Sequence, residues 1–377
     1  MKEGLIRLRN QVNRFFYKVI FKPLFFLIDP ETTHQQMLAF GNFLGSNRIT
    51  KALTALFFFY SNKSLEQKIL GIKFPNPIGL AAGFDKDGVL TDITPRVGFG
   101  FTEVGSITGE PCEGNPKPRL WRLIKSKGIV VYYGLKNDGC EKILKRLKNK
   151  TFTIPIGISI AKTNSPKTVE VEDGIADYVK AYGKFTNIGS YFTINISCPN
   201  TYGGQPFTDV GRLEALLTEI DRVQSRKPIF LKMPPDLDKK KIDQIIDVAR
   251  RHRVAGFICT NLTDDRANPK IAHKLIDKSV PKKGGISGKP VEGLANDLVS
   301  YVYRKTKGEF LIIGCGGVFS ARDAYKKIKL GASLVQLITG MIFEGPQLIS
   351  EINQGLVNLL KKDGFTNISQ AIGMENK

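Results

Sequence analysis

Apolar residues along the first twenty positions return at the helical interval. Leu5, Leu8, Val12, Phe15, Phe16, Val19 and Ile20 fall on one stripe, with Arg7, Asn10, Arg14 and Lys18 on the other face, and the pattern predicts an amphipathic helix over residues 5–21. Beyond Pro23 the run Leu24–Ile28 is wholly apolar. Asp29-Pro30-Glu31 then opens a second helix with Met37, Phe40 and Leu44 on one side and Gly45 near its end, and the stretch from Ala52 to Tyr60 contains three consecutive Phe. None of these runs reaches the ~18 apolar residues of a spanning helix.

From Leu65 the pattern changes to short β-rich runs separated by helical ones. Eight strands are predicted, at 76–82, 99–106, 156–162, 191–197, 228–234, 256–261, 310–317 and 334–340, with helices such as 171–183, 211–225, 239–253 and 320–330 between several of them. Eight such units over about 300 residues predict an α/β fold of the (β/α)8 TIM-barrel type. The barrel would occupy residues 65–377, behind an N-terminal helical segment at residues 1–64.

Charge adds to the picture at the N-terminus. Up to Lys22 there are six basic residues against the single acid Glu3, which is the composition of a helix lying on an anionic interface. A helical flap packed on the barrel would use the same aromatics, and targeting peptides share the acid-poor composition. The coincidence of bulky apolar residues with basic charge favours the membrane surface. Over the whole chain the formal charge is +21, which suits phospholipid, nucleic acid or phosphorylated ligands, or is a plain solvated surface. The five Cys (112, 140, 198, 259 and 315) are scattered without a C-x-x-C pair, which argues for a reducing compartment and against zinc or an iron–sulfur cluster. With only His34, His252 and His273, nucleophilic hydrolysis through a His triad is disfavoured.

Polar residues gather at the C-terminal ends of the predicted strands, where a barrel keeps its chemistry. They include Lys86, Ser106, Lys162, the run Asn195-Ile196-Ser197-Cys198-Pro199-Asn200, Lys232 and Asn261. In that run a thiol able to exchange a proton stands between two carboxamides that can fix a planar ligand. Gly316-Gly317 before a helix that Ser320 can cap, beside Thr339-Gly340, reads as a phosphate cradle. Lys232 interrupts the apolar run Ile229–Met233, where an ammonium is costly without an anion or an electron-rich acceptor. A flavin answers both needs, since it carries a phosphate and becomes anionic on reduction.

The same stretches resemble the dihydroorotate dehydrogenases, flavin-dependent barrel enzymes of pyrimidine synthesis. The likeness runs from about Asp29 to Gly373 and rests on Asp29-Pro30-Glu31 with His34, the block from Asn76 to Lys86, Gly98–Phe101 with Glu103–Ser106, and Gly114–Arg119. It continues through Asn195–Asn200, Gly284–Pro290, Ile312–Gly317 and Gly331–Leu337. The resemblance implies FMN at Ala81, Ala82, Lys86, Gly105, Ser106, Asn195, Lys232, Thr260, Ser287, Gly288, Gly316, Gly317 and Thr339. It implies dihydroorotate or orotate at Lys86, Asn195, Asn200 and Asn261, with Cys198 as the base that takes the C5 proton while hydride passes from C6 to the flavin. The N-terminal helices resemble those of the membrane-associated class, in which ubiquinone or menaquinone reoxidises the flavin and in which His34 and Arg122 would lie near the quinone. Such a protein would sit peripherally on an anionic membrane, at the cytoplasmic face of a bacterial cell membrane or at the mitochondrial inner membrane, with neither nucleic acid nor an iron–sulfur subunit as partner.

Three features depart from the membrane class. Its usual base is Ser, whereas Cys198 is typical of the soluble classes that reduce fumarate or a nicotinamide-linked partner, and a thiol needs less activation than a hydroxyl. The family's loop Asn-Arg-x-Gly-Phe-Asn reads Val131-Tyr132-Tyr133-Gly134-Leu135-Lys136. Ser159 replaces an Asn and Leu262 a Thr, each removing a polar contact worth ~1 kcal/mol when buried. The alternatives are the same half-reaction with a soluble acceptor, a tRNA dihydrouridine synthase, which is also an FMN barrel with Cys-Pro after its fourth strand, and a non-catalytic membrane scaffold.

Overall fold

The computed structural model describes residues 2–376. All eight predicted strands form, as β1 (Ile78–Leu80), β2 (Phe101–Ile107), β3 (Ile156–Ile160), β4 (Tyr191–Asn195), β5 (Ile229–Met233), β6 (Val254–Cys259), β7 (Leu311–Cys315) and β8 (Leu334–Leu337). They close in sequence order into one parallel barrel, β8 returning to β1 through Gln336 opposite Gly79. Parallel strands covered by helices are buried on both faces, and every residue of β2 and β4 is buried, the polar Thr102, Glu103 and Thr193 included.

The lower half of the barrel is filled by aromatic rings. A Cβ on Gly79 would lie 2.3 Å from the Phe101 ring and one on Gly157 2.4 Å from Tyr191, so the missing side chains make room for those rings. Phe74, from a hairpin of Gln67–Ile69 and Ile72–Phe74, closes the floor edge-on to Phe101 at 5.5 Å between centroids. Among the described residues this leaves the C-terminal mouth of the barrel to receive a ligand.

A second, antiparallel sheet of Leu120–Leu123, Gly128–Val131 and Gly285–Gly288 borders that mouth. It is joined to the N-terminal helices by Arg119, whose guanidinium meets both Glu31 oxygens at 2.7 and 3.0 Å with each side chain 5% exposed. Breaking a buried pair strands the remaining charge. Glu31→Gln is therefore expected to lower unfolding free energy by about 3–5 kcal/mol, read as a shift of the urea midpoint at unchanged slope.

The N-terminal segment is helical through α1 (Lys2–Phe16), a π turn at Tyr17–Phe21, α2 (Lys22–Leu27), α3 (Pro30–Leu44) and α4 (Arg48–Phe58). The backbone stays right-handed helical from Phe16 through Phe21 to Lys22, so these pieces form one continuous helix, and Pro23, which lacks an N–H, stands directly after its π turn. The orientation of α1 is the informative feature. Its polar face lies on the last long helix, Leu348–Lys362: Asn10 is buried and donates to Ser350 Oγ at 3.0 Å, and Arg14 Nε donates to Glu351 at 2.9 Å. Lys18 pairs with Glu344 at 2.5 Å. Its apolar stripe faces outward, against the flap expectation. Eighteen of the twenty-four exposed large apolar residues among the described residues lie between Leu5 and Phe59, a patch rather than the scatter of an ordinary surface. Among the described residues no helix is long and apolar enough to cross a membrane.

Candidate active site

A cavity of about 370 Å³ opens at the C-terminal ends of the barrel strands, beneath the antiparallel sheet and beside α2 and α3. The family-implied residues line it with one exception. Gly105 lies outside the wall, and a Cβ there would strike the Ser159 carbonyl at 2.4 Å.

One part of the cavity is a cradle of small residues. Gly288 has φ +90°, and a Cβ on it would meet Lys127 O at 2.4 Å and the Thr339 methyl at 2.8 Å. Gly317 has φ +75° and is blocked by Glu292 at 2.3 Å. Ser287 and Thr339 hydroxyls share a bond of 2.9 Å, and Gly316 and Gly317 precede the helix Ala321–Lys329 that Ser320 caps. Backbone amides brought this close, beside a helix N-terminus, suit a phosphate.

Next to the cradle stands Lys232, buried and paired across strands with Asn195. It makes no hydrogen bond or ion pair with a described residue, which is expensive unless a ligand supplies the acceptor. Ala81, Ala82 and Thr260 complete this wall. Both ends of the Asn195 carboxamide are engaged: Nδ2 donates to Ser106 Oγ at 2.9 Å, and Oδ1 accepts from Ser197 Oγ at 2.8 Å. Ser106 shares a 2.8 Å bond with Ser159, and Asn261 donates to Ser197 Oγ at 2.9 Å. Ser159 thus works one layer behind the cavity. Ser197, which the sequence reading left without a role, couples the two carboxamides.

Cys198 and Asn200 face the cavity from the loop after β4. Asn200 Nδ2 donates to Val131 O at 2.9 Å, a contact the backbone makes whatever side chain stands there. Two further Asn prop the loop: Asn115 donates to Asn200 O at 3.0 Å, and Asn164 donates to Asn115 Oδ1 at 3.1 Å. Asn115 lies in the Gly114–Arg119 block, a signal that could have found it; Asn164 carries no comparable mark. Lys162 ties the end of the loop by donating to Tyr202 O at 2.8 Å. Burial pushes the Cys198 thiol up to about 11, against a backbone N–H contact and the nearby ammonium groups of Lys162 and Lys232. Desolvation thus opposes the anion.

At the α2–α3 end, Tyr17, Phe25, Phe26 and Met37 make the wall apolar. His34 Nε2–H donates to Phe84 O at 2.8 Å and Nδ1 accepts from Tyr133 OH at 3.1 Å. Burial, then the Lys86 charge, pushes His34 down to about 3, so the ring is neutral at physiological pH. Arg122 donates to Ile28 O at 2.8 Å and Thr33 Oγ1 at 3.0 Å, holding the corner between the helices. Lys86 rests on the Tyr133 ring at 3.4 Å, and burial pushes it down to about 7.

A parallel barrel whose mouth combines a glycine cradle, a lysine without a described partner and a loop-borne thiol fits an oxidoreductase of the flavin-barrel class. The chain matches the family model for dihydroorotate dehydrogenase over residues 64–360 and belongs to that family. It is 38% identical over 378 residues to the dihydroorotate dehydrogenase (quinone) of Nostoc punctiforme, covering 96% of this chain and 98% of that one. It is 35% identical over 380 residues to the enzyme of the same name from Trichodesmium erythraeum, covering 96% and 99%. Among solved structures it resembles the Eimeria tenella dihydroorotate dehydrogenase in complex with ferulenol, with TM-score 0.80 and 29% identity over 93% of this chain and 96% of that one. These matches favour neither the tRNA-enzyme nor the soluble-acceptor reading.

Proposed function

We infer that the chain oxidises dihydroorotate to orotate in pyrimidine biosynthesis, with FMN as its bound cofactor and a membrane quinone as acceptor. The observation that carries this is Lys232: a buried ammonium without a protein acceptor, beside a glycine cradle, in the same cavity as Cys198. FMN, when bound, would supply the acceptor for the hydride leaving C6 of dihydroorotate and the relay of its electrons to the quinone. Gly288, Gly316, Gly317 and Thr339 would hold its phosphate, and Ala81, Ala82, Ser106, Asn195, Lys232, Thr260 and Ser287 its ring and ribityl chain. Gly105 supports Ser106 from behind.

Lys86, Asn195, Asn200 and Asn261 orient the substrate ring. Cys198 takes the C5 proton onto its sulfur, and the ammonium groups of Lys162 and Lys232 favour the thiolate that does so. Residues 1–64 serve membrane association and quinone access, with His34 and Arg122 at the quinone end and the exposed patch on the cytoplasmic face of an anionic membrane. Support comes from the outward apolar face of α1 and the continuity of its neighbours Tyr17 and Phe26 with the cavity.

The test is anaerobic. Dihydroorotate should bleach the flavin absorbance, and a ubiquinone or menaquinone analogue should restore it, whereas fumarate or NAD should not. Recovery with fumarate alone overturns the acceptor assignment, and failure to bleach overturns the donor.

A further inference from the structure

The cavity carries a third lysine to which neither the strand pattern nor the family likeness gives a role. Gly134 and Leu135 adopt successive left-handed conformations, φ +64° and +59°, and turn the chain so that Lys136 lines the cavity. That conformation is unfavourable for a Leu and persists only where the surroundings hold it. Here Asn164 donates to Gly134 O at 3.2 Å and Asn137 to Leu135 O at 2.8 Å.

Lys136 is half-buried and, like Lys86, makes no hydrogen bond or ion pair with a described residue. Asp87 is the larger carboxylate field on Lys86, and Glu31, which reaches both lysines, is committed to Arg119 through two contacts. Two lysines therefore share one cavity, and neither forms an ion pair with a described residue. Like charges in a partly desolvated space favour a ligand that brings negative charge.

We propose that Lys136 is a specificity-determining residue that, together with Lys86, binds the carboxylate of the substrate and selects ring compounds carrying that group. The proposal rests on the dihydroorotate reading and deepens it. Where the family pattern has a carboxamide, able to hydrogen-bond but uncharged, this chain places a full charge, so its recognition is more electrostatic and more salt-sensitive.

Calorimetric titration of the FMN-loaded enzyme with orotate, and with the methyl ester of orotate, tests this. K136A and K136N should raise the orotate dissociation constant about tenfold or more, as loss of a charge-assisted contact does. K136R should stay close to wild type, the ester should bind all four proteins alike, and added salt should weaken orotate binding more in wild type than in K136N. Equal orotate affinity in wild type and K136A, or an equal loss for acid and ester, overturns the carboxylate clamp and leaves the reaction standing. Failure of the wild-type enzyme to bind orotate at all overturns the dihydroorotate reading, and the clamp with it.

Discussion

Cys198→Ala is expected to retain FMN and to slow its anaerobic reduction by dihydroorotate about a thousandfold, within the range a positioned general base contributes. The substitution removes the sulfur without dismantling its loop, because Asn115, Asn200 and Lys162 hold that loop through contacts to Asn200 O, Val131 O and Tyr202 O. Stopped-flow absorbance gives the rate directly, and a value close to wild type would assign the proton to another group. The pH profile is a second check. A thiol pushed up to about 11 by burial is protonated at neutral pH. Its reactive fraction then grows up to about tenfold per pH unit below that value. Wild-type reduction should climb from pH 6 through pH 9; a rate already level at pH 7 would contradict Cys198 as the base.

The second large effect concerns the N-terminus. Removing residues 1–28 is expected to abolish binding to anionic liposomes and to cut quinone turnover at least tenfold, while flavin reduction by dihydroorotate stays near wild type. The cut takes away α1 and α2, with most of the exposed patch, together with the Tyr17, Phe25 and Phe26 wall of the cavity. It spares Glu31. Deletion through residue 60 would remove Glu31 and the α3 cover over Arg119 together, so loss of function there would report instability. Liposome flotation and parallel assays of the two half-reactions separate the effects. Undiminished quinone turnover by the shortened chain would place the acceptor site elsewhere.

The barrel was legible because short β-rich runs alternate with helical ones eight times and end at polar residues, as at Asn195. The antiparallel sheet at the mouth was not, since one of its strands, Gly285–Gly288, joins the others across more than 150 residues of chain. A pairing of that separation leaves no local period. The position of α1 was hidden for a different reason: amphipathicity states that two faces differ, but not which face meets the protein. Among site residues, those lining the cavity were visible by type. Ser197, whose hydroxyl couples two carboxamides from behind the wall, depends on three-dimensional neighbours that spacing does not encode.

A helix that clasps its own barrel through Arg14 and Lys18 and turns its hydrocarbon outward leaves the catalytic body no swivel. If that hydrocarbon rests on a bilayer as proposed, the foot would set both height and tilt, with the carrier arriving by lateral drift and the pyrimidine from water. Throughput would then follow the carrier's density per unit of leaflet, and a cell that expands its leaflet at constant carrier number would slow this step without altering the protein.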